Sequence, residues 1–581
     1  MAGLFLVPEG GTAAASLSAA RRAFASHGFS EPREVNLPGW RLLHAGYIHG
    51  GPETLLVAGD DVVAVAGTMT VEGLMGRAAL ERLLRTAEPP ALDRSRIGGQ
   101  FICLLRKRGR TFLFGDGLGA FQLFHDADGH LFSTSLLAAL EVLPRVRFDA
   151  QGVYEFAFNV VPIGDVTVIE ELKTLGPGRM VELGTDGTTT LHPLARPRAA
   201  VARDEPPAER VTRHRDALMR VIDTHVAAFG DHVHCPLSGG MDSRLLLAAF
   251  RAAGSRPMVY VYGPDGSEDV RIAQAIGAAE GFAVEWINKA ARDISPDAFA
   301  EQVANNFRRF DGLPNFGNIF DNGGHLAAMD ARHADGALLA SGGAGEIYRD
   351  FFYLPDRPMR AEAVARTFFA RFTPSDATGV FEPRRFVTEI ARKIGDAIDQ
   401  PADAGPIPRL TIEQIYPRVR CRALFGREIS IEARHGAYLM PFLDSGVVAE
   451  AMTLPMRLKQ AGRFEAMLID AIDPALARHP SAYGHHFAEP PSRRHRFGEW
   501  QSRIRPPWLR ARSYGIQRRL RPIGDEHGGL LTPEYMERVI DTDFPIMRRY
   551  FHPERITDSG LWRRIACLEY LGERLGSRLA T

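Results

Sequence analysis

The sequence predicts two successive structural classes, an α+β sandwich followed by a doubly wound α/β region. Short apolar runs separated by glycine and aspartate turns recur from residue 1 to about 195, which is typical of antiparallel strands. From residue 213 to about 345, apolar strands alternate with amphipathic helices, which indicates a parallel sheet. Residues 360–480 have a mainly helical pattern. The chain of 581 residues is longer than one ordinary domain, so we expect several.

In the first region, the pattern predicts sheets with helices packed outside them. The strand candidates are Leu4–Val7, Trp40–His44, Thr54–Ala58, Val62–Ala66, Phe101–Leu105, Thr111–Phe114 and His130–Ser133. The helix candidates are Ala13–His27, Gly73–Arg85 and Leu136–Val142.

In the second region, strands and helices follow one another in turn. The strand candidates are Val233–Leu237, Met258–Tyr262, Ala283–Asn288 and Ala337–Ser341. The helix candidates are Arg213–Phe229, a helix that begins near Asp242, Glu268–Glu280 and Pro296–Phe310. A doubly wound sheet of this kind binds ligands at the carboxyl ends of its strands.

Domain boundaries follow from composition. Residues 196–212 are rich in proline and charge and form the predicted linker between domains 1–195 and 213–480. Residues 481–581 are predicted to form a basic helical extension. The arginine-rich part of this extension, residues 493–521, fits either a solvated helix face or contact with an acidic peptide, a partner protein or RNA.

Composition excludes some function classes and favours a cytoplasmic protein. The formal net charge is zero, so we expect neither DNA binding nor a membrane partner. The four cysteines lie far apart, which suits a reducing cytoplasm and argues against a disulfide framework. No apolar run reaches the roughly 18 residues of a membrane span. The first residues lack the basic lead and long apolar core of a signal peptide.

The most specific motif is Ser238-Gly239-Gly240-Met241-Asp242-Ser243, between an apolar strand and an amphipathic helix. Adjacent glycines let backbone N–H groups converge on an anion, and the helix N-terminus adds partial positive charge. Asp242 suits a cation that bridges phosphate oxygens. The motif therefore predicts a phosphate site, although an ordinary strand-to-helix turn would also contain Gly-Gly.

This motif resembles the pyrophosphate-binding loop of N-type ATP pyrophosphatases. Segments Tyr260–Gly263, Ala340–Glu346, Pro441–Asp444 and Leu454–Lys459 are similar to those of asparagine synthetase B-type enzymes. The resemblance implies an ATP pyrophosphatase domain that uses ATP and Mg²⁺.

The N-terminal region resembles the family's class II glutamine amidotransferase domain, which has an Ntn-hydrolase-like fold of the glutaminase type. The resemblance is carried by Ile97–Leu105, Phe114–Gly119 and Leu175–Met180. The family's nucleophilic cysteine is replaced by Ala2, and its substrate loop by Ala66-Gly67-Thr68. Only Trp40-Arg41-Leu42-Leu43 remains of its arginine-led segment. We therefore expect a degenerate domain without glutaminase activity.

The resemblance also implies roles for individual residues. Asp242 and Glu346 would hold magnesium and, with Arg463, form the catalytic set; Arg463 stands where the family has a lysine. The family's glutamate and arginine before Pro441 are replaced by Ala437 and Leu439, and either Glu432 or Arg434 could compensate. The turn that begins at Asp311 is expected to line the carboxylate pocket. The implied ATP-binding residues are Leu237, Ser238, Gly239, Gly240, Asp242, Ser243, Val261, Ser341 and Gly342.

These features predict an AMP-forming ligase that adenylates a carboxylate and closes an amide. Because the ammonia supply is missing, the combination resembles lasso-peptide cyclases and β-lactam synthetases, in which the amine belongs to the substrate. We favour a peptide macrolactam cyclase, with a leader-peptide-binding protein and a protease as candidate partners. β-Lactam closure needs a proton-abstracting pair; Tyr348 lies near the second loop, but no glutamate stands at the matching position before Pro441. Amidation of an acid with free ammonia, and a non-catalytic ATP- or peptide-binding scaffold, remain alternatives.

Overall fold

Two six-stranded antiparallel sheets make up the N-terminal region of the structure, residues 3–193. The computed structural model describes residues 3–196, 204–290, 292–315, 318–401, 404–506, 509–510, 513, 516 and 529–580. The strands of the first sheet are, in chain order, β1 (Gly3–Pro8), β2 (Arg33–Leu37), β3 (Trp40–Ala45), β8 (Phe124–His125), β9 (Phe132–Ser133) and β10 (Lys173–Thr174). Those of the second are β4 (Leu55–Ala58), β5 (Asp61–Val71), β6 (Ile97–Lys107), β7 (Arg110–Gly115), β11 (Arg179–Leu183) and β12 (Thr189–Pro193).

The spatial orders of the strands are β10-β8-β9-β1-β3-β2 and β12-β11-β7-β6-β5-β4. Strand β5 shows how the sheets stack, because its side chains alternate between two cores. Ala64 and Ala66 face the core shared with the first sheet, whereas Val63 and Val65 face a second core.

The helices of this region are α1 (Ala13–Ser26), α2 (Gly76–Thr86), α3 (Leu136–Val142) and α4 (Ala150–Asn159). Helix α1 packs on the first sheet and α2 on the second, so the predicted sandwich with outer helices is present.

A five-stranded sheet, parallel throughout, follows the sandwich. Its strands are β13 (Val233–Pro236), β14 (Met258–Tyr262), β15 (Val284–Ile287), β16 (Leu338–Ala340) and β17 (Tyr438–Leu439). Their order is β15-β14-β13-β16-β17, so the direction of winding reverses between β13 and β16. Ligands of doubly wound sheets bind at such a switch point, which here lies directly beside the 238–243 motif.

Helices surround this sheet and form the rest of the chain. They are α5 (Pro207–Phe229), α6 (Asp242–Ala252), α7 (Glu268–Glu280), α8 (Pro296–Arg309), α9 (Gly324–His333), α10 (Ala361–Val364), α11 (Pro383–Ala397), α12 (Arg409–Ile412), α13 (Arg422–Glu432), α14 (Ser445–Ala451), α15 (Met456–Lys459), α16 (Arg463–Ile472), α17 (Pro474–Ala477), α18 (Arg493–Ile504), α19 (Pro533–Met536) and α20 (Ser559–Leu575). No helix within the described ranges has both the length and the apolar character needed to cross a bilayer.

Two segments depart from the predicted domain plan. Helix α5 begins at Pro207, inside the predicted linker and not at Arg213, because proline is well tolerated in the first turn of a helix. The end of the predicted extension returns to the sandwich. Helix α20 packs on α4, where Arg564 Nε donates to Ala157 O at 2.7 Å, and Ala580 N donates to Val146 O at 2.8 Å.

Candidate functional site

The 238–243 motif forms a tight loop between β13 and α6, as the sequence predicts. Ser238 N donates to Ser243 Oγ at 2.9 Å, and the two serine hydroxyls lie 2.9 Å apart. Gly239 N donates to Asp269 Oδ1 at 2.8 Å. A Cβ on Gly239 would lie 2.9 Å from Ala482 Cβ, so the close packing of the loop requires glycine there. Gly240 N donates to Ser238 Oγ at 3.2 Å, so both glycine N–H groups bond to side chains, while the N–H groups of the first turn of α6 have no acceptor within the helix.

The second predicted loop, 341–346, packs directly on the first. A Cβ on Gly342 would lie 3.0 Å from Ser243 N, and one on Gly345 would lie 2.6 Å from Asp242 Cγ. Ser341 Oγ accepts from Gly343 N at 3.1 Å, which shapes the turn. The two loops meet because they follow β16 and β13, which are adjacent parallel strands.

The remaining two predicted ATP-binding residues lie at the same edge of the sheet. Leu237 follows β13, is buried, and donates its N–H to Tyr260 O at 2.8 Å. Val261 is buried near the carboxyl end of β14, in the large hydrophobic core. The structure therefore brings together every described residue of the predicted ATP-binding set.

Three carboxylates surround one guanidinium at this edge. Arg349 Nη2 donates to Asp242 Oδ1 and Oδ2 at 2.7 and 2.6 Å. Arg349 Nε lies 3.1 Å from Glu465 Oε2, and Nη2 lies 3.6 Å from Glu346 Oε1. Glu465 and Arg349 received no role from sequence reasoning. The available signals were weak: Glu465 lies one turn into the helix that follows Gly462, and Arg349 lies three residues after Glu346.

The electrostatics of this group are set by burial and by the closeness of the three carboxyl groups. Burial, and then the nearby Asp242 carboxylate, raise the pKa of Glu346 and raise that of Glu465 well above its usual range. Burial opposes charge on Arg349, but Asp242, Glu465 and Glu346 together raise its pKa further. The three carboxyl groups share this single guanidinium. Carboxylate oxygens are the donors that Mg²⁺ prefers, so the side chains present fit a magnesium ion held by Asp242 and Glu346.

Arg463, the third predicted catalytic residue, is the first residue of α16 and is exposed. The helix start lies beside the motif, because a Cβ on Gly462 would lie 2.6 Å from Met241 Sδ. Lys459 is unsuited to replace it, since its Nζ is buried and bonded to Ile347 O at 2.7 Å and Glu413 Oε2 at 2.9 Å.

Two tyrosines near the second loop differ in what they contact. Tyr416 OH donates to Glu346 Oε2 at 2.6 Å from a π-helical turn, Tyr416–Cys421. Such turns occur often at functional sites. Tyr348 is fully buried between His214, Phe442 and Phe464. Tyr348 therefore packs in the core and is not exposed to a substrate.

The segments that depart from the amidotransferase pattern are built into the sandwich. Ala66-Gly67-Thr68 lies inside β5, and Thr68 Oγ1 accepts from Tyr438 N at 3.0 Å. Arg41 lies in β3 and is ion-paired with Glu34 of β2. Ala2 lies outside the described residues.

Burial and ion pairing hold several other residues of the predicted site in contacts inside the protein. Asp311 is fully buried and does not line a pocket, because it pairs with Arg434 at 2.7 Å, Arg427 at 3.2 Å and His27 at 3.1 Å. Arg434 is therefore committed to Asp311 and does not replace the family arginine. Glu432 Oε2 lies 3.4 Å from His333 Nε2. Ala437 and Leu439 are both buried in the core at β17.

No family model matches the chain, and a search of curated proteins gives no match either. Solved structures similar to part of it include the B. subtilis glutamine phosphoribosylpyrophosphate amidotransferase complexed with ADP and GMP, at 12% identity and a TM-score of 0.23. That match covers 49% of this chain and 65% of the other. A second is described as the allosteric regulatory enzyme of purine biosynthesis, at 12% identity and a TM-score of 0.24, covering 54% and 78%. At these TM-scores the likeness assigns neither fold nor function to this chain.

Proposed function

We propose that this chain is an ATP-dependent carbon–nitrogen ligase that adenylates a substrate carboxylate, releases pyrophosphate and closes an amide. One observation carries the proposal: two glycine loops meet at the switch point of a parallel sheet, beside three carboxyl groups that share a single guanidinium. Triphosphate binding requires this combination of N–H donors for the phosphates and hard oxygen ligands for a divalent cation.

Each side chain has a stated task in the proposed reaction. The first turn of α6, with Ser238 and Ser243, would bind the phosphates that leave. Asp242 and Glu346 would hold Mg²⁺, which supplies charge screening when bound. Arg463 would stabilise negative charge as pyrophosphate departs, but it cannot donate or accept a proton near neutral pH. Arg349 and Tyr416 orient the two carboxylates through the hydrogen bonds already described.

For the attacking amine, we favour an amine of the substrate itself, and thus a peptide macrolactam. The support comes from the sandwich, where the segment at the position of a glutamine-binding loop is a buried part of β5. A scaffold without a glutamine pocket supplies no ammonia, and ring closure needs none. Free ammonia remains the competing source.

The first test measures whether ATP binds where we propose. Calorimetric titration with ATP and Mg²⁺ should give binding to the unaltered protein and binding at least about tenfold weaker to Asp242→Ala, since a carboxylate ligand is lost. Asp223→Ala removes an exposed carboxylate on α5 and serves as the matched control. Equal affinity in the two variants would contradict the proposal.

The second test measures the reaction. AMP and pyrophosphate are quantified after incubation with ATP and linear peptides bearing an acidic side chain, with and without ammonium chloride. We expect AMP formation that needs the peptide but not ammonium, together with loss of one water from the peptide mass. AMP formation that depends on ammonium would instead favour the free-ammonia synthetase.

A further inference from the structure

A cavity of about 720 Å³ opens beside Glu346 and Arg349, between the second loop and the helices that follow it. Its wall contains Arg366, Arg371, Arg420 and Arg510. Within the described residues, none of these four guanidiniums has an ion pair with a carboxylate at 4.0 Å or less. Of the two acidic groups of the wall, Asp350 pairs with Arg409 at 2.7 Å and Arg503 at 3.1 Å, and Glu346 alone faces the four arginines, with a hydrogen bond from Tyr416. The cavity therefore carries unbalanced positive charge.

Aromatic rings connect the candidate catalytic carboxylate to these arginines. Tyr416, which donates to Glu346, has its ring centroid 4.1 Å from that of Phe351. Phe351 lies 5.0 Å from Phe368. The guanidinium carbons of Arg371 and Arg420 lie 5.0 and 5.9 Å from the centre of the Phe368 ring. The rings of Phe351 and Phe368, which line the cavity, thus lie between Glu346 and the arginines at its other end.

The cationic end is held in place by contacts to backbone oxygens. Arg420 Nη1 donates to Asn159 O at 3.0 Å, and Arg510 Nη1 donates to Phe352 O at 2.9 Å. Burial lowers the pKa of both guanidiniums, and the neighbouring Arg371 lowers that of Arg420 further, although Glu346 acts against this at Arg420 and Asp350 does so at Arg510. Positive charges that are desolvated and close together are stabilised when an anion joins them.

We propose that this cavity binds the acyl substrate and selects one with an apolar side chain and a second anionic group in addition to the carboxylate that reacts. The inference rests on the proposed ligase function and names its substrate class. Arg366 and Arg371 face solvent, so they can accept the second anionic group without backbone movement. Guanidinium groups bind carboxylates in a bidentate geometry, which gives the selection its specificity.

The test uses two short probes that differ only in charge. N-acetyl-phenylalanyl-glutamate carries two carboxylates and a phenyl ring, and N-acetyl-phenylalanyl-glutaminamide is its neutral counterpart. We expect calorimetric titration to show binding of the anionic probe at least about tenfold tighter than that of the neutral probe, and weakening as salt is raised. Equal affinity for the two probes would overturn the inference.

The variant Arg366→Gln/Arg371→Gln removes two exposed charges. It should bind the anionic probe about tenfold more weakly and the neutral probe with unchanged affinity. Arg384→Gln/Arg385→Gln makes the same charge change on the exposed face of α11, outside the cavity, and should have no effect. An unchanged affinity in the first double variant would contradict the assignment.

Two further arms separate the possible outcomes. We expect that inorganic pyrophosphate does not compete with the anionic probe. If pyrophosphate does compete, and the competition is lost in Arg366→Gln/Arg371→Gln, the cavity is a polyphosphate site and the inference is overturned. The affinity for ATP and Mg²⁺ is measured on the same proteins. Intact ATP binding without probe selectivity would reject the inference alone, whereas probe selectivity without ATP binding would reject the proposed function.

Discussion

Arg349 determines the charge balance of the candidate site. Its guanidinium contacts Asp242 and Glu465 directly, and Glu465 has no exposed side-chain surface. Removing one partner of a buried ion pair leaves a charge that neither water nor protein compensates. Removing Arg349 should therefore cost much of the stability of the fold, because two carboxylates pair with this one residue.

We therefore expect Arg349→Ala to lower the free energy of unfolding by about 3 kcal/mol. Urea unfolding measures the change, with Arg256→Ala, at an exposed position, as the control. Adding Glu465→Gln to Arg349→Ala should restore part of the loss, because the substitution neutralises the carboxylate that was left without a partner. A loss no greater than that of Arg256→Ala would show that the cluster is not coupled as described.

Glu428 gives a prediction about pH at the same scale. Burial raises the pKa of Glu428 to about 8, against the hydrogen bond that it accepts from Tyr438 OH at 2.7 Å. The folded protein therefore binds this proton more tightly than the unfolded chain, in which the pKa of glutamate is about 4.3. The resulting stability is fully present below that pH and is lost as pH rises toward 8.

We expect Glu428→Gln to remove this loss of stability at high pH. At pH 8 the free energy of unfolding of the variant should exceed that of the unaltered protein by at least about 1 kcal/mol, which corresponds to about one pKa unit. Urea unfolding at pH 5, 6.5 and 8 measures it. Glu537→Gln, at an exposed position, should leave the pH profile unchanged. A parallel profile in Glu428→Gln and the unaltered protein would be evidence against the shift.

At the scale of elements, the site depends on how closely two loops approach each other. The loop after β16 lies against the start of α6, and Gly345 leaves the space that the Asp242 carboxylate occupies. Protein interiors are close-packed, so an added methyl group there must displace either the loop or the carboxylate.

We expect Gly345→Ala to reduce ATP-dependent turnover about 100-fold, because a displacement of about 1 Å at a reacting group has that effect. AMP formation is the measurement. Gly379→Ala is the control, since a Cβ there would meet no atom within 4 Å. Turnover that is equal in the two variants would show that the loops do not require this contact.

Helix α18 extends the site from the C-terminal side. Glu499 Oε2 accepts from Ala461 N at 2.7 Å, next to the start of α16, and Arg503 Nε donates to Asp350 Oδ2 at 3.1 Å. The opposite face exposes Phe497 and Trp500, whose rings stack at 5.7 Å. The described part of the arginine-rich segment is therefore bonded to residues beside the candidate site and is more than a solvated extension.

At the scale of the molecule, Asp311 joins the sandwich to the C-terminal half. Its carboxylate accepts from Ser135 Oγ at 2.6 Å and Leu136 N at 2.8 Å, and pairs with Arg427 and Arg434. Burial opposes the charge, but Arg434, His27 and Arg427 outweigh it and hold the pKa of Asp311 well below its usual range.

We expect Asp311→Asn to lower the free energy of unfolding by about 3 kcal/mol at pH 7. The contribution is present above the unfolded-state pKa of about 3.9 and is lost as pH falls below it, so the variant and the unaltered protein should converge in acid. Urea unfolding measures both. Asp265→Asn, in an exposed turn, should change neither value, and a similar result for Asp311→Asn would contradict the coupling.

Sequence patterns predicted the bounds of those helices and strands that local residues determine. Helix α3 has the predicted bounds, and strands β13 and β14 lie where apolar runs indicated them. Strands β2, β11 and β12 were not predicted, because each is a run of five residues in which polar or charged residues interrupt the apolar ones. Helix α4 was also missed, although Asp149 caps it and accepts from Gly152 N at 2.6 Å.

By itself, the sequence determined the two sheet classes and the glycine loop at residues 238–243, because strand periodicity and turn chemistry are local properties. Only the tertiary structure decided which charges meet. It placed Arg349 and Glu465 at Asp242, and it directed Arg434 and Asp311 away from the site and into the join with the sandwich. The physical reason is that an ion pair forms between side chains that the chain brings together from distant positions, and its energy depends on burial that no sequence spacing records.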